Sequence, residues 1–386
     1  MASRVHRSQG KTGDTSRSSG PAPSRERDPE SIARMRRQLL AWYDVSRRDL
    51  PWRRSHDPYA IWVSEIMLQQ TRVAVVVERY QAFLARFPSL VALALAPEQE
   101  VLALWSGLGY YRRARMLHKA AQFVAEHHEG SLPAAAAELR LLPGIGSYTA
   151  AAIASIAHGE QIAVVDGNVE RVLCRVQGWE AVGRAGAAAL RRKVDAVANL
   201  LIDPARPGDF NQAMMELGAT LCAPRNPQCL LCPLAQDCVT RGEHKTRGRP
   251  RMLSKEVGCA LALRNGGLPG AVHREVLLEQ RPETQTVMPG LWQLPALRDA
   301  AVPDADLRMT VRHAIMQVNY YVRVRNVGEE EIAELTVSDG ARRWVPLLEA
   351  GTIALSGLTR KVLHRAHLLP KLPVDAIAPQ RVGDVV

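Results

Sequence analysis

Apolar side chains recur every three or four residues along the chain from Ser31 to about Leu217. This spacing places them on one face of a helix, the pattern of helices that pack against a common core. Proline and glycine interrupt the pattern repeatedly, and strand-like runs are nearly absent from it. The segment is therefore predicted to be helical almost throughout, which makes the chain mainly α.

The pattern changes beyond about Glu256, where short runs of β-branched or alternating residues are separated by glycine and proline turns. Such runs are typical of strands, and they occur as VGCALALR, REVLLEQR, VNYYVRVRNV and ARRWVPL. Residues 257–386 are therefore predicted to form a separate α/β domain. The preceding stretch, 241–256, is basic and contains glycine and proline, so we expect an exposed linker there.

The first 29 residues contain serine, arginine, glycine and proline with almost no large apolar side chain. They cannot offset the entropy of ordering by burial, so residues 1–29 are predicted to be a disordered basic tail. The whole chain of 386 residues carries 50 basic and 39 acidic side chains, a net charge of +11. This balance suits a polyanionic partner such as nucleic acid, although a generally basic proteome would produce it too.

No apolar stretch approaches the roughly 18 residues that a membrane span requires, and the N-terminus lacks the apolar core of a secretory signal. We therefore expect a soluble cytoplasmic protein with no membrane partner. Six cysteines in so long a chain are too few to indicate a disulfide scaffold.

Four of the cysteines lie close together, as Cys222, Cys229, Cys232 and Cys238. Their spacing is Cys-x6-Cys-x2-Cys-x5-Cys, with prolines and loop residues between them. Such clustering in an intracellular protein indicates metal ligation. Four thiolates satisfy either a tetrahedral zinc ion or a [4Fe–4S] cube, and thiolate chemistry alone does not choose between them.

Glu65 is a carboxylate in an apolar setting. It lies within PYAIWVSEIMLQQTRVAVVVERY, which is predicted to be one continuous helix. Desolvation among Trp62, Ile66 and Met67 would raise the pKa of Glu65 and let it hold a proton near neutral pH, as a general acid must. The alternative interpretation is that Glu65 simply pairs with a basic neighbour.

Asp166 lies in AVVDGNVERVL, where an apolar run ends before a new helix. Asp followed by Gly and Asn in this position predicts a helix N-cap. Backbone amides around an N-capping carboxylate keep it ionised. Asp166 is therefore a candidate anion that acts opposite a protonated Glu65.

Two glycine-containing turns are candidates for contact with nucleic acid. In LPGIGSYTAAAIASI, Gly144 and Gly146 let backbone amides face outward at a helix start, which would bind a DNA phosphate. In WSGLGYYRRARMLHKAA, Tyr110 and Arg112 combine an aromatic ring with positive charge, which suits stacking on bases and neutralising a backbone. An ordinary helix corner and a solvated helix face are the alternatives.

Together these segments resemble the endonuclease III superfamily of base-excision glycosylases, and specifically the adenine DNA glycosylase family of the MutY type. The resemblance rests on the following segments, which occur in the order found in the family: LPWRRSHDPYAIWVSEIMLQQTRV, WSGLGYYRRARMLHKAA, LPGIGSYTAAAI, VDGNVERVL, FNQAMMELGA and the cysteine loop. The resemblance implies an all-helical, two-lobed helix-hairpin-helix glycosylase domain over 30–240, followed by a Nudix-like domain. One lobe would be a six-helix barrel over about 57–165, and the other would combine 30–56 with 166–240.

The resemblance also implies roles for individual residues. Glu65 would protonate a ring nitrogen of an extruded adenine, and Asp166 would stabilise the oxocarbenium ion at the sugar. Further implied positions are Tyr148 and Asn168 beside these carboxylates, Arg53, Leu68 and Glu216 in the adenine pocket, and Gln70 and Tyr110 as wedges in the base stack. The four cysteines would hold a [4Fe–4S] cluster, with zinc a minor alternative, and the loop containing Arg225 would contact phosphate.

Position 148 distinguishes activities within the superfamily. Members that also cut the strand have a lysine there, whereas this chain has Tyr148, so base removal without strand cleavage is expected. The implied substrate is double-stranded DNA with adenine opposite 8-oxoguanine or guanine, bound by a monomer. An endonuclease III-like glycosylase and lyase for oxidised pyrimidines is the first alternative, and a noncatalytic iron–sulfur DNA-binding protein is the second.

The C-terminal domain departs from the family pattern. The hydrolase signature is missing after Trp292, so the domain is expected to bind without hydrolysing. The family usually reads the oxidised guanine with a Phe-Ser-His loop, and here Ile315, Met316 and Gln317 follow an Arg-His-Ala sequence. Gln317 is the candidate that replaces the histidine as a hydrogen-bonding group.

Overall fold

The computed structural model describes residues 27–180, 184–244, 252–266, 273–335 and 340–369. The first part is helical: α1 (Pro29–Ser46), α2 (Pro58–Leu68), α3 (Val73–Arg86), α4 (Leu90–Leu95), α5 (Glu98–Leu104), α6 (Arg112–His127), α7 (Ala136–Leu139), α8 (Ser147–His158), α9 (Gly167–Gln177), α10 (Arg184–Leu201) and α11 (Pro207–Ala219). The last part contains β1 (Leu253–Gly266), β2 (His273–Gln280), β3 (Trp292–Gln293), β4 (Leu307–Ile315), β5 (Val318–Val327), β6 (Arg342–Pro346), α12 (Leu347–Ala350) and α13 (Gly357–Arg365). The expected order, a helical part followed by an α/β domain, is confirmed. Within the described ranges, none of the helices combines the length and apolar character that a membrane span needs.

The start of α1 corrects the predicted extent of the N-terminal tail. The Asp28 carboxylate accepts from the Ser31 amide at 2.8 Å, and Pro29 occupies the first helical position, where a missing N–H costs nothing. Arg27 also donates to the Asp237 carbonyl at 3.0 Å. Ordered structure therefore begins by residue 27 rather than after 29, and the rest of the predicted tail lies outside the described residues.

The helical part that the structure describes has two large hydrophobic cores and one small cluster around Val164. One lies among α2 to α8 and includes Trp62 and Trp105, and the other lies among α1, α9, α10 and α11 and includes Tyr43. Leu50 and Trp52 pack in the first core, although the sequence predicted that residues 30–56 belong to the second. The physical reason is the short 3₁₀ turn at Pro51–Arg53, which turns the chain towards α2 and α3.

The long helix predicted around Glu65 is in fact two helices. The helical conformation is interrupted over residues 69–72, between α2 and α3. Gln70 has a φ of 57° there, in the left-handed region that a helix cannot contain. The break exposes Gln70 at a corner instead of placing it on a helix face.

The C-terminal domain is built on a sheet with strand order β3-β2-β1-β5-β4, and β6 pairs with β2. Strands β1 and β5 are parallel, with Val257 beside Val322, and the other pairs are antiparallel. Strand β1 begins at Leu253, so the predicted linker ends earlier than residue 256, because backbone pairing with β5 continues to Leu253. Residues 245–251 of that linker lie outside the described residues.

The C-terminal domain packs directly on the first helical lobe. Leu291 and Ala354 belong to the hydrophobic core of that lobe. The Tyr111 hydroxyl donates to the Leu355 carbonyl at 2.8 Å, in a buried position. This interdomain seam lies beside the glycine turn that precedes α6, so the sheet domain supports the residues that the turn presents.

Candidate active site

Glu65 is buried near the C-terminal end of α2, with 6% of its surface exposed. Helix α2 is apolar around its circumference, which explains why every residue from Tyr59 to Met67 is buried. The Tyr148 hydroxyl, at the start of α8, donates to Glu65 Oε2 at 2.7 Å. Burial raises the pKa of Glu65 to about 7, and although the Tyr148 hydrogen bond opposes this shift, the charge of Asp166 adds to it.

Asp166 is the N-cap of α9 and is fixed by three N–H groups. Its Oδ1 accepts from the backbone amides of Asn168 and Val169, both at 2.8 Å. Its Oδ2 accepts from Asn168 Nδ2 at 2.7 Å. These three contacts hold the Asp166 carboxylate in one orientation at the start of α9.

One cleft of about 910 Å³ contains both carboxylates. This is the size of a site that encloses a small organic group such as a nucleoside. The other expected active-site residues that line it are Arg53, Leu68, Gln70, Tyr148, Asn168 and Glu216. The structure therefore brings together residues from five separate parts of the chain.

Glu216, on α11, forms a buried polar wall of the cleft. Arg48 donates to both of its carboxylate oxygens at 2.7 Å, and Arg53 donates to Oε2 at 2.7 Å. Burial alone would raise the pKa of Glu216, but these hydrogen bonds and charges outweigh it and lower the pKa to about 2. Sequence reasoning missed Arg48, and the only signal was its place among the arginines of SRRDLPWRR.

Gln212 and Met215 also line the cleft and were not expected from the sequence. They lie on α11 within one turn of Glu216, where Gln212 accepts from the Tyr43 hydroxyl at 3.2 Å and Met215 Sδ accepts from Tyr148 at 3.4 Å. Helical spacing from Glu216 is the signal that could have identified them.

A chain of hydrogen bonds leads from Asp166 to the cysteine loop. Asn168 Oδ1 accepts from Arg171 Nη2 at 3.0 Å, and Arg171 Nε donates to the Cys222 carbonyl at 3.0 Å. Helices α9 and α11 can approach this closely because Gly218 has no side chain, and a Cβ there would lie 2.7 Å from the Asn168 Cβ. The position of the Asp166 carboxylate is thus tied to the fold of the loop.

The four cysteines of the loop line one pocket, together with Arg175 and other residues. Arg175 is buried and donates to Cys222 Sγ at 3.3 Å, which supplies positive charge beside the thiols. Among the residues that the structure describes, no three His, Cys, Asp or Glu side chains are close enough to hold a metal ion. The donor set, four thiols with a buried guanidinium beside them, suits thiolate ligation of either a zinc ion or a [4Fe–4S] cluster.

A second cleft, of about 270 Å³, brings together residues from three turns. Gln70, Tyr110, Arg112 and Gly144 line it. Tyr110 has a φ of 48° and is half exposed. Gly144 has a φ of 76°, and a Cβ there would lie 3.0 Å from Met116, so glycine is required. Gln70 lines both clefts and therefore lies between them.

Three expected DNA contacts are not among the residues that line either cleft, although Gly146 lies between Gly144 and Ser147, which do. Gly146 is the N-cap of α8 with an ordinary φ of −85°, so its backbone does not require glycine. Arg225 is exposed in the cysteine loop. Gln317 lies in the turn between β4 and β5, where its carbonyl accepts from the Leu253 amide at 2.9 Å.

Comparison with known proteins places this geometry in a family. The model of the HhH-GPD superfamily of base excision DNA repair proteins matches residues 63–195, which include both carboxylates. The adenine DNA glycosylase of Homo sapiens is 35% identical over 415 residues, which cover 87% of this chain and 74% of the human protein. The chain belongs to the adenine DNA glycosylase family. It is therefore a DNA glycosylase of base excision repair.

Another adenine DNA glycosylase and one solved structure are also similar to this chain. The Rattus norvegicus adenine DNA glycosylase is 49% identical over 221 residues, which cover 55% of this chain and 42% of the rat protein. A thermostable thymine-DNA glycosylase of known structure is 29% identical with a TM-score of 0.50, covering 55% of this chain and 97% of that one. The helical part of this adenine DNA glycosylase family member therefore has the architecture of a complete DNA glycosylase.

Proposed function

We propose that this protein hydrolyses the N-glycosidic bond of adenine paired with 8-oxoguanine or guanine in double-stranded DNA, without cutting the strand. One observation carries the proposal: a buried Glu65 with a pKa of about 7 shares a cleft with a fixed Asp166 carboxylate. Groups whose environments differ in this way take the roles of acid and charge stabiliser. The cleft accepts a nucleotide only when its base has left the helical stack.

Glu65 supplies the proton. With a pKa of about 7, about half of the Glu65 side chains are protonated at neutral pH, which suits a general acid. Tyr148 occupies Oε2, and among the described residues none hydrogen-bonds Oε1. The proton moves from Glu65 to a ring nitrogen of adenine, so that adenine leaves as a neutral base when its bond to the sugar breaks.

Asp166 stabilises the positive charge that develops on the sugar. Three N–H donors hold its carboxylate in place, so no reorganisation is needed when that charge appears. A water oxygen then bonds to the sugar carbon, and its proton passes to a carboxylate. Two carboxyl groups with these roles also act in glycoside hydrolysis.

The polar wall around Glu216 recognises adenine. Its carboxylate is ionised at neutral pH, because its pKa is about 2, and it can accept from the amino group of the base. Arg48 and Arg53 hold the carboxylate in place and supply donors for the ring nitrogens. A base with a carbonyl in place of the amino group would place two acceptors together, which costs binding energy.

Strand cleavage would require an amine that attacks the sugar. No lysine is among the described residues that line the cleft, and position 148 carries a phenol. We therefore expect no Schiff base with DNA. Efficient borohydride trapping on a duplex that the protein cleaves would favour the glycosylase and lyase alternative instead.

A [4Fe–4S] cluster held by Cys222, Cys229, Cys232 and Cys238 completes the proposal. These cysteines would hold the cluster, which would cross-link the loop within the second helical lobe and would supply no chemistry to base removal. Its loop carries Arg225 to the phosphate backbone. Gly144 and Arg112 contact the backbone at the second cleft, where Gln70 and Tyr110 enter the base stack. Gln317, which is exposed in the turn between β4 and β5, reads the base opposite adenine.

Single-turnover excision tests the proposal, with a duplex that holds one adenine opposite 8-oxoguanine. We expect Glu65→Gln and Asp166→Asn each to slow excision by about 10²–10⁴-fold while DNA binding persists. Glu170→Gln is the matched control, because it alters a partly exposed carboxylate on α9 that does not line the cleft. Excision from a duplex that holds an oxidised pyrimidine instead of the adenine would indicate the alternative glycosylase and lyase activity. Full activity of both carboxylate variants would contradict the assigned mechanism.

A further inference from the structure

Two residues beside the second cleft have strained backbones. Gln70 and Tyr110 have φ values of 57° and 48°, in a region that residues other than glycine rarely occupy. Such conformations persist only where the surrounding structure imposes them. What holds these two residues therefore decides how they meet DNA.

The guanidinium of Arg113 hydrogen-bonds the backbone just before Gln70. Its Nη1 donates to the carbonyls of Ile66, Met67 and Gln69, at 2.6, 3.0 and 2.5 Å. These carbonyls belong to the last turn and C-cap of α2, where no further helical amides are available to bond them. Arg113 thus caps α2 from another helix and fixes the residue immediately before Gln70.

The same guanidinium hydrogen-bonds the backbone just before Tyr110. Its Nη2 donates to Thr71 Oγ1 at 3.0 Å and to the carbonyls of Leu108 and Gly109, both at 3.1 Å. Its carbon lies 5.7 Å from the centre of the Tyr110 ring. Thr71 follows Gln70 and Gly109 precedes Tyr110, so this one group contacts the immediate neighbours of both strained residues.

This arrangement needs the two terminal nitrogens of a planar guanidinium. Burial lowers the pKa of Arg113 to about 10, so the group stays charged at neutral pH and favours the carbonyl end of α2. A lysine retains the charge but carries a single nitrogen, which cannot reach both sets of acceptors. Arg113 is absent from the lining of the cleft that contains Glu65 and Asp166.

We propose that Arg113 is a positioning residue that couples Gln70 to Tyr110, so that both enter the base stack as one unit. The inference rests on the proposed function, which gives these residues a duplex to enter. It assigns Arg113 to the opening of the duplex and not to bond cleavage.

The test measures base flipping by the full-length protein. A duplex carries 2-aminopurine beside the target adenine, so that its fluorescence rises when the adenine leaves the stack, and single-turnover excision is followed on the same duplex. The variants are Arg113→Lys, Tyr110→Ala and the double variant. Arg86→Lys is the matched control, because Arg86 makes a two-pronged contact with Glu100 on the outer surface.

We expect Arg113→Lys to lower the flipped population about tenfold in the native background and less than about twofold in the Tyr110→Ala background. The alkaline limb of the excision rate should not move, because the surroundings of Glu65 are unchanged. Arg86→Lys should leave flipping within about twofold.

If Arg113→Lys lowers the flipped population equally in the native and Tyr110→Ala backgrounds, its role is general and structural, and the inference is overturned. A shift in the alkaline limb of the excision rate would overturn it as well. If Arg113→Lys does not fold, Thr71→Val removes the hydroxyl that links the same Nη2 to the Gln70 side, and the same comparison applies. A native protein that neither flips nor excises adenine would refute the proposed function itself. An active native protein with equal losses would refute only the coupling.

Discussion

Replacing Tyr148 by phenylalanine tests the protonation of Glu65 directly. The Tyr148 hydroxyl donates to Glu65 Oε2 at 2.7 Å, which favours the ionised carboxylate and opposes the effect of burial. Without it, burial and the charge of Asp166 act unopposed, so the pKa of Glu65 rises above about 7. One hydrogen bond in such a site contributes about 1 to 1.5 kcal/mol, equivalent to about one pH unit.

The shift has a measurable effect on the excision rate. With a pKa of about 7, the protonated fraction of Glu65 falls from about a half at pH 7 to about a tenth at pH 8, so the rate falls about fivefold. If the pKa rises by about one unit, the rate falls less than about twofold over the same interval.

The assay is single-turnover excision of adenine from pH 6 to pH 9, in steps of about half a unit. The position of the alkaline limb is the readout, since it does not depend on the absolute rate. Tyr43→Phe is the matched control, because it removes a hydroxyl that contacts Gln212 in the same cleft and not Glu65. A limb that stays in place or moves to lower pH in Tyr148→Phe would refute the assignment of Glu65 as the acid.

Three further predictions concern stability and binding. The pKa of Glu216 is lowered from 4.5 to about 2, so its stabilisation is present above pH 4.5 and is lost as the pH falls towards 2. Urea unfolding should show a loss of about 3 kcal/mol over that window, which Glu216→Gln should lack. Cys232→Ser should weaken DNA binding in an anisotropy titration more than it slows single-turnover excision, and unchanged affinity would contradict a role for the loop in phosphate contact. Tyr111→Phe should lower the melting temperature by about 2–4 °C in calorimetry, because the buried Leu355 carbonyl loses one donor, and an unchanged value would mean that this bond adds nothing.

The sequence revealed the two carboxylates because local context identifies each of them. Glu65 is surrounded in the chain by large apolar residues, so its burial follows from the composition of its own helix. Asp166 precedes Gly and Asn at the end of an apolar run, and the predicted N-cap is what the structure contains. The division into a helical part and a sheet domain likewise follows from periodicity within each segment, whereas the two helical lobes were expected only from the resemblance.

Features that depend on distant partners were not visible in the sequence. The break at Gln70 has no glycine or proline to mark it, because Arg113, more than forty residues away, stabilises it. Arg48 is one of several neighbouring arginines, and only the fold selects it as a partner of Glu216. Strand β4 was missed, and the strand that starts at Leu253 was predicted to begin later, because pairing partners extend a strand beyond its apolar run.

The interdomain seam has a consequence for how the protein unfolds. Leu291 and Ala354 fill part of the first lobe, and Arg360 Nε donates to the Ser106 hydroxyl at 2.7 Å in a buried position. Separating the domains would expose that core to water and break this buried hydrogen bond. Heating should consequently unfold the first lobe and the sheet domain in one cooperative step. A chain truncated before β1 should have a lower melting temperature than the full chain, although it keeps all the helices of that lobe.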